Sequence, residues 1–154
     1  MNRGPDELAR GCRQVQRISG VLVFAIAMFA YIAEMIRTQQ APFIGFAPTA
    51  PLGLLRFVLA VMAVLDLVVV NIVRPKIIAG RAAATGQVAP LAQRLLNASI
   101  VALGMCESIA IYGFVLFLLG GQRADFYGFA AFALLGFAIY FPRRSQWEAW
   151  AHQA

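Results

Sequence analysis

The sequence predicts an all-α protein, an integral membrane four-helix antiparallel bundle. Three observations predict it. Apolar residues make up 61% of the 154 and charged residues only 13%, against about 45–50% and about 25% in an average soluble domain. A chain this short has too little interior to hide that much apolar surface from water. The apolar residues also fall into four runs bounded by proline, glycine or charge, and a run of about 20 residues is enough to cross a bilayer core.

Residues 1–17 form a polar, basic N-terminal tail. Pro5, Asp6 and Glu7 suit a helix start, with proline and acids in the first turn. Leu8, Cys12, Val15 and Ile18 recur at helical spacing while Arg10, Arg13 and Arg17 fall elsewhere around the axis. The tail therefore reads as an amphipathic helix, lying on the headgroups or running into the first span. That span is 18–36, closed by Glu34 and Arg37. "QQAPFIGFAPTAPLG" follows, and its prolines at 42, 48 and 51 deny a helix the amide hydrogens it needs. Phe43, Ile44 and Phe46 make it an apolar loop suited to the membrane interface.

The second span is 52–73, with Arg56 near its start and Asp66 inside. Residues 74–94 read as a cytoplasmic basic loop: Arg74, Lys76, Arg81 and Arg94 are there with no acid, and Gly80, Gly86 and Pro90 interrupt regular structure. The third span, 95–119, carries Glu107. "GGQRAD" is a Gly-Gly turn, and 126–141 is a shorter, aromatic-rich fourth span. In the interfacial C-terminal tail, 143–154, Ser145 and Glu148 have capping-box spacing, and Trp147 and Trp150 suit the membrane–water boundary. Basic residues concentrate in the N-terminal tail, the central loop and Arg143-Arg144. Such residues favour the cytoplasmic side, so both termini are expected there, in a bacterial inner membrane.

A carboxylate at mid-depth in hydrocarbon is costly and rarely idle. Glu107 stands equally far from both ends of its predicted span, and Asp66 falls about 5 Å to the cytoplasmic side of its own span's centre at 1.5 Å per residue. Spans two and three form a hairpin, so the two acids could approach, and close together in low dielectric they would not both ionise. Gly104 and Ala110, three residues to either side of Glu107, keep its helix face narrow enough for a neighbour to come close. The competing expectation is structural: such acids can stay protonated and bond a neighbouring helix, for about 1 kcal/mol. Glu34 and Arg56 read as a headgroup-level ion pair or as independently solvated groups.

"IVALGMCESIAIYGFVLFLL", Ile100 to Leu119, resembles the ion-carrying helix of the rotary ATPase proteolipid, subunit c. The glutamate, the small residue after it, the Ile-Tyr pair and the valine-leucine run fall in matching positions. The resemblance implies that Glu107 is an ion-binding carboxylate, that Ser108 offers a hydroxyl ligand, that Tyr112 braces Glu107, and that the Met105 carbonyl completes the shell. It also implies a helical hairpin with a cytoplasmic loop. The chain departs from the family in having one glycine, Gly53, in the preceding helix, Ile109 in place of a second hydroxyl, Asp66 as the only candidate for the missing glutamine ligand, and two further spans. The segment from Asp125 to Trp150 also resembles small bacterial four-span proteins of uncharacterised role.

These readings lead to two main expectations. In one, Glu107, with Ser108, Tyr112, Asp66 and Met105, binds a proton or sodium ion, within a homo-oligomer or a larger membrane complex. In the other, the chain is a structural or assembly subunit whose polar groups only fix helix packing. A small four-span exporter is a further alternative. No enzyme is expected, because no nucleophile–base pair or metal set converges. Zinc and haem are not expected, with one histidine, His152, and no CxxC. No cofactor is expected beyond that ion. Nucleic acid is not expected as a partner, since binders need a clustered basic face.

Overall fold

The structure, a computed structural model, describes residues 4–79 and 91–141. The expectations for Gly80, Arg81, Gly86 and Pro90, for Arg143-Arg144, for the capping box Ser145–Glu148 and for Trp147 and Trp150 lie outside the described residues. Four helices follow one another: α1 (Gly4–Gln39), α2 (Leu52–Ile78), α3 (Leu91–Gly120) and α4 (Arg123–Tyr140). Among the described residues there is no strand. Three of the helices, α1, α2 and α3, are long and apolar enough to cross a membrane. The fourth is the shortest, and its first turn carries Arg123 and Asp125.

The sequence drew several helix ends too short. Of the two courses expected for the N-terminal segment, it takes the second and runs on into the first apolar helix, so that α1 is continuous for 36 residues. Cys12, Val15 and Ser19 are buried, so the face of α1 that carries them packs against the other helices. Ser19 makes this possible by turning its hydroxyl inward to donate to the Val15 carbonyl at 2.8 Å. At the other end of the hairpin, α2 continues through Pro75 to Ile78. A proline near a helix end forfeits only one amide hydrogen bond. Arg94 at the start of α3 then donates from Nη1 to the Ile78 carbonyl at 2.9 Å, supplying a partner for one of the carbonyls that a helix end leaves open. The loop expected over 74–94 is thus bounded by helix on both sides.

The third helix is the hub. It packs on α4, α2 and α1, whereas α1 scarcely meets α2 and α2 scarcely meets α4. Ala98, Ala102, Leu103, Cys106, Ile109, Ala110 and Phe117 of α3 are buried, facing a core that includes Ala130, Ala133 and Phe137 of α4. Small side chains dominate this seam and let the backbones approach. Close packing of this kind holds helices together even where the surroundings are themselves apolar. Gly113 marks the tightest point: a Cβ there would lie 2.5 Å from the Phe129 Cβ and 3.1 Å from the Phe126 carbonyl oxygen. Gly136 plays the same part from the α4 side, against the Cys106 sulfur. The outer surface is apolar, with Phe57 and Ile139 each 68% exposed and Val21, Phe24 and Leu135 more than 60% exposed.

The loop between α1 and α2 does more than rest at an interface. Phe46 and Ala47 donate their amides to the Leu118 and Leu119 carbonyls at 2.8 and 3.0 Å, closing the end of α3. Phe43 turns inward against Phe117, ring centroids 5.3 Å apart, while Ile44 and Phe46 stay 65% exposed. Two glycines permit the crossing. Gly45 has φ 86° and Gly121 has φ 71°, a left-handed conformation that side chains resist. A Cβ on Gly121 would also lie 2.7 Å from the Phe43 carbonyl oxygen.

Candidate functional site

The polar groups of the bundle sit at three levels. At the end formed by the start of α2 and the start of α4, Arg56 Nε donates to Asp125 Oδ2 at 2.9 Å and Arg56 Nη2 donates to Gln122 Oε1 at 2.6 Å. At the same end Glu34 accepts from Arg37 Nε at 2.7 Å and from the Tyr127 hydroxyl at 2.9 Å. Glu34 and Arg56 are therefore neither a pair with each other nor independently solvated. Each fastens its helix to α4, through residues the sequence reading had not singled out.

At the opposite end, the Arg74 guanidinium lies 5.7 Å from the centre of the Tyr140 ring. This is within cation–π range, and it ties the end of α2 to the end of α4. Asn71 donates from Nδ2 to the Leu67 carbonyl at 3.1 Å.

Between these ends lie the two interior acids. Because α2 runs to Ile78, Asp66 falls at the middle of its helix, about 20 Å from either end at 1.5 Å per residue. It is half-buried on the side that meets α3, and the Tyr112 hydroxyl donates to its Oδ2 at 3.0 Å. Ser108 is one turn before Tyr112, and side chains four apart share a helix face. Its hydroxyl donates back to the Met105 and Gly104 carbonyls at 3.0 and 3.2 Å. Of the residues expected to form a site, Asp66, Tyr112, Ser108 and Met105 are thus brought to one seam between α2 and α3.

Glu107 stands apart. It lies near the middle of α3, half-buried, and among the described residues it makes no hydrogen bond and no ion pair. The bracing bond expected from Tyr112 goes to Asp66 instead. Glu107 belongs to a strip of α3 that includes the exposed residues Val101, Gly104 and Ile111. The strip stays open because α1 and α2, which flank α3, scarcely meet each other. Gly104 is not at a contact within the chain: a Cβ there would meet nothing within 4 Å. Ala110, by contrast, is fully buried. Packing within the chain is set by Ala110, Gly113 and Gly136, and the sequence reading had named only the first.

Cys12 and Cys106 are both buried, and no disulfide joins them. Among the described residues, no group of three His, Cys, Asp or Glu side chains converges to hold a metal. No family model, curated protein or solved structure matches the chain.

The Asp66–Tyr112 bond gives the mildest of the expected effects. Tyr112→Phe removes one interhelical hydrogen bond in a setting where such bonds are worth about 0.6–2 kcal/mol. A fall in unfolding stability of that order is expected in detergent or bicelles. Asp66→Asn should cost less, because the amide oxygen still accepts.

Proposed function

We propose that the chain is a multi-pass inner-membrane protein, a four-helix antiparallel bundle with both termini cytoplasmic. In this reading Glu107 binds and releases a proton or sodium ion on the open strip of α3, coupling that ion to a larger assembly in the manner of a rotary ATPase proteolipid. The observation that carries the reading is the contrast between the two interior acids. Asp66 has an internal donor, Tyr112. Glu107 has no side-chain partner among the described residues, and a mid-depth carboxylate of that kind is costly without a partner or a task. A proton satisfies it by neutralising it. A sodium ion does so by accepting oxygen ligands, for which hard cations are suited. On α3 those oxygens would come from Glu107, Ser108 and the nearby carbonyl of Met105 or Gly104.

The second reading, a structural or assembly subunit without transport, is favoured by the Tyr112–Asp66 bond, which acts as interhelical glue and needs no ion.

Carbodiimide labelling separates them. The reagent modifies protonated carboxyl groups within membranes. Ion exchange at Glu107 predicts rapid labelling of the peptide containing Glu107, slower as pH rises, and absent in Glu107→Gln. Slowing by sodium at fixed pH and ionic strength identifies sodium as cargo, and indifference to sodium identifies the proton. Failure of Glu107 to react across the pH range leaves only the structural reading.

A further inference from the structure

Since α2 and α4 lean on α3 and scarcely touch each other, a groove of about 330 Å³ runs between them. Its walls include Ala60, Ala63 and Val64 of α2 and Gly128, Phe129 and Phe132 of α4. Small residues create the space, and a Cβ on Gly128 would meet nothing within 4 Å. One end of the groove lies at Asp125, where Arg56 stands. Arg56 engages Asp125 and Gln122 through Nε and Nη2. Its Nη1 makes no hydrogen bond among the described residues, and the side chain is 36% exposed.

We infer that this groove binds one glycerophospholipid, with an acyl chain along the Ala60–Gly128 seam and its phosphate on Arg56 Nη1. The polarity fits: the walls are apolar, and the charged residue lining the mouth, Asp125, is already neutralised by Arg56 at 2.8 Å, which leaves the remaining N–H donors of that guanidinium to match phosphate oxygens. The inference rests on the membrane placement proposed above, and not on ion exchange at Glu107.

The test uses the full chain in liposomes doped with a phospholipid carrying a diazirine midway along one acyl chain. After irradiation, adducts should concentrate on Ala60–Val64 and Gly128–Phe132, several-fold above those on Leu135 and Ile139, which are exposed to bulk lipid. Gly128→Leu and, from the opposite wall, Ala60→Leu should each remove that excess, while Ala131→Leu should keep it. The double variant Arg56→Gln/Asp125→Asn should lose the excess for the phospholipid probe and keep it for a diazirine-bearing diacylglycerol, which has no phosphate. Evenly spread adducts, or a groove signal indifferent to both leucine variants, would overturn the site. So would efficient disulfide cross-linking of two copies through Gly128→Cys, since a second protein would then occupy the seam. A chain that fails to float with liposomes loses the membrane placement as well, whereas floating with evenly spread adducts removes only the lipid site.

Discussion

Gly113→Ala is expected to destabilise the protein by about 1–3 kcal/mol, the usual cost of forcing atoms into a filled core. The reason is local. The new methyl would sit 2.5 Å from the Phe129 Cβ, 3.1 Å from the Phe126 carbonyl oxygen and 3.2 Å from the Phe126 Cα. These are atoms on or next to the α4 backbone, so no rotamer change can clear them. The two helices must separate along a seam where small residues alone allow contact. A glycine within a helix ordinarily gains about 0.5–1 kcal/mol on becoming alanine, and that gain offsets part of the loss. Gly104→Ala should show the gain by itself, because its Cβ meets nothing within 4 Å. Thermal unfolding of the two variants in one detergent should therefore move in opposite directions. Equal falls would mean that the open strip around Gly104 is a packed surface in the assembled protein.

On the proposed ion exchange, Glu107→Gln is expected to abolish proton or sodium binding while leaving stability unchanged or higher. An unpaired carboxylate among hydrocarbon costs several kcal/mol, and glutamine keeps the shape without the charge. Nothing inside the described chain depends on Glu107 for a hydrogen bond, so its removal breaks no internal contact. Tyr112→Phe should behave the opposite way, losing stability and keeping ion binding. Sodium binding by calorimetry, or proton uptake in proteoliposomes, measured beside unfolding stability, checks both halves. A Glu107→Gln protein that loses stability and keeps ion binding would make Glu107 a packing residue.

Hydropathy made the helices legible, because each apolar run has a length set by 1.5 Å per residue and ends at proline, glycine or charge. It blurred their ends. The stretch Arg74 to Ile78 is basic and contains Pro75, and nothing in it announces that α2 continues until Arg94 closes its terminus.

The sequence was least informative about which face of each helix points inward. A helix that is apolar all round has no polar side to orient it, so Gly104 drew attention for its place beside Glu107, while Gly113 and Gly136 went unnoticed. The interior acids were visible as charges in apolar runs, but not their partners. Tyr112 reaches Asp66 from 46 residues away and Arg56 reaches Asp125 from 69, and spacing along one chain carries no trace of such pairs. The loop's grip on α3 runs through the amides of Phe46 and Ala47. Backbone bonds leave little signature beyond the glycines that let the chain come close.

Ion exchange at Glu107 requires that this side chain be held at mid-depth on an open strip of α3. A nitroxide attached at Gly104→Cys, one turn from Glu107, with Cys12 and Cys106 replaced by alanine, reports that depth. In liposomes the label should show high accessibility to dissolved oxygen and negligible accessibility to a water-soluble nickel chelate, the pattern of the bilayer centre. Accessibility to the chelate comparable with that of a label in water would contradict it.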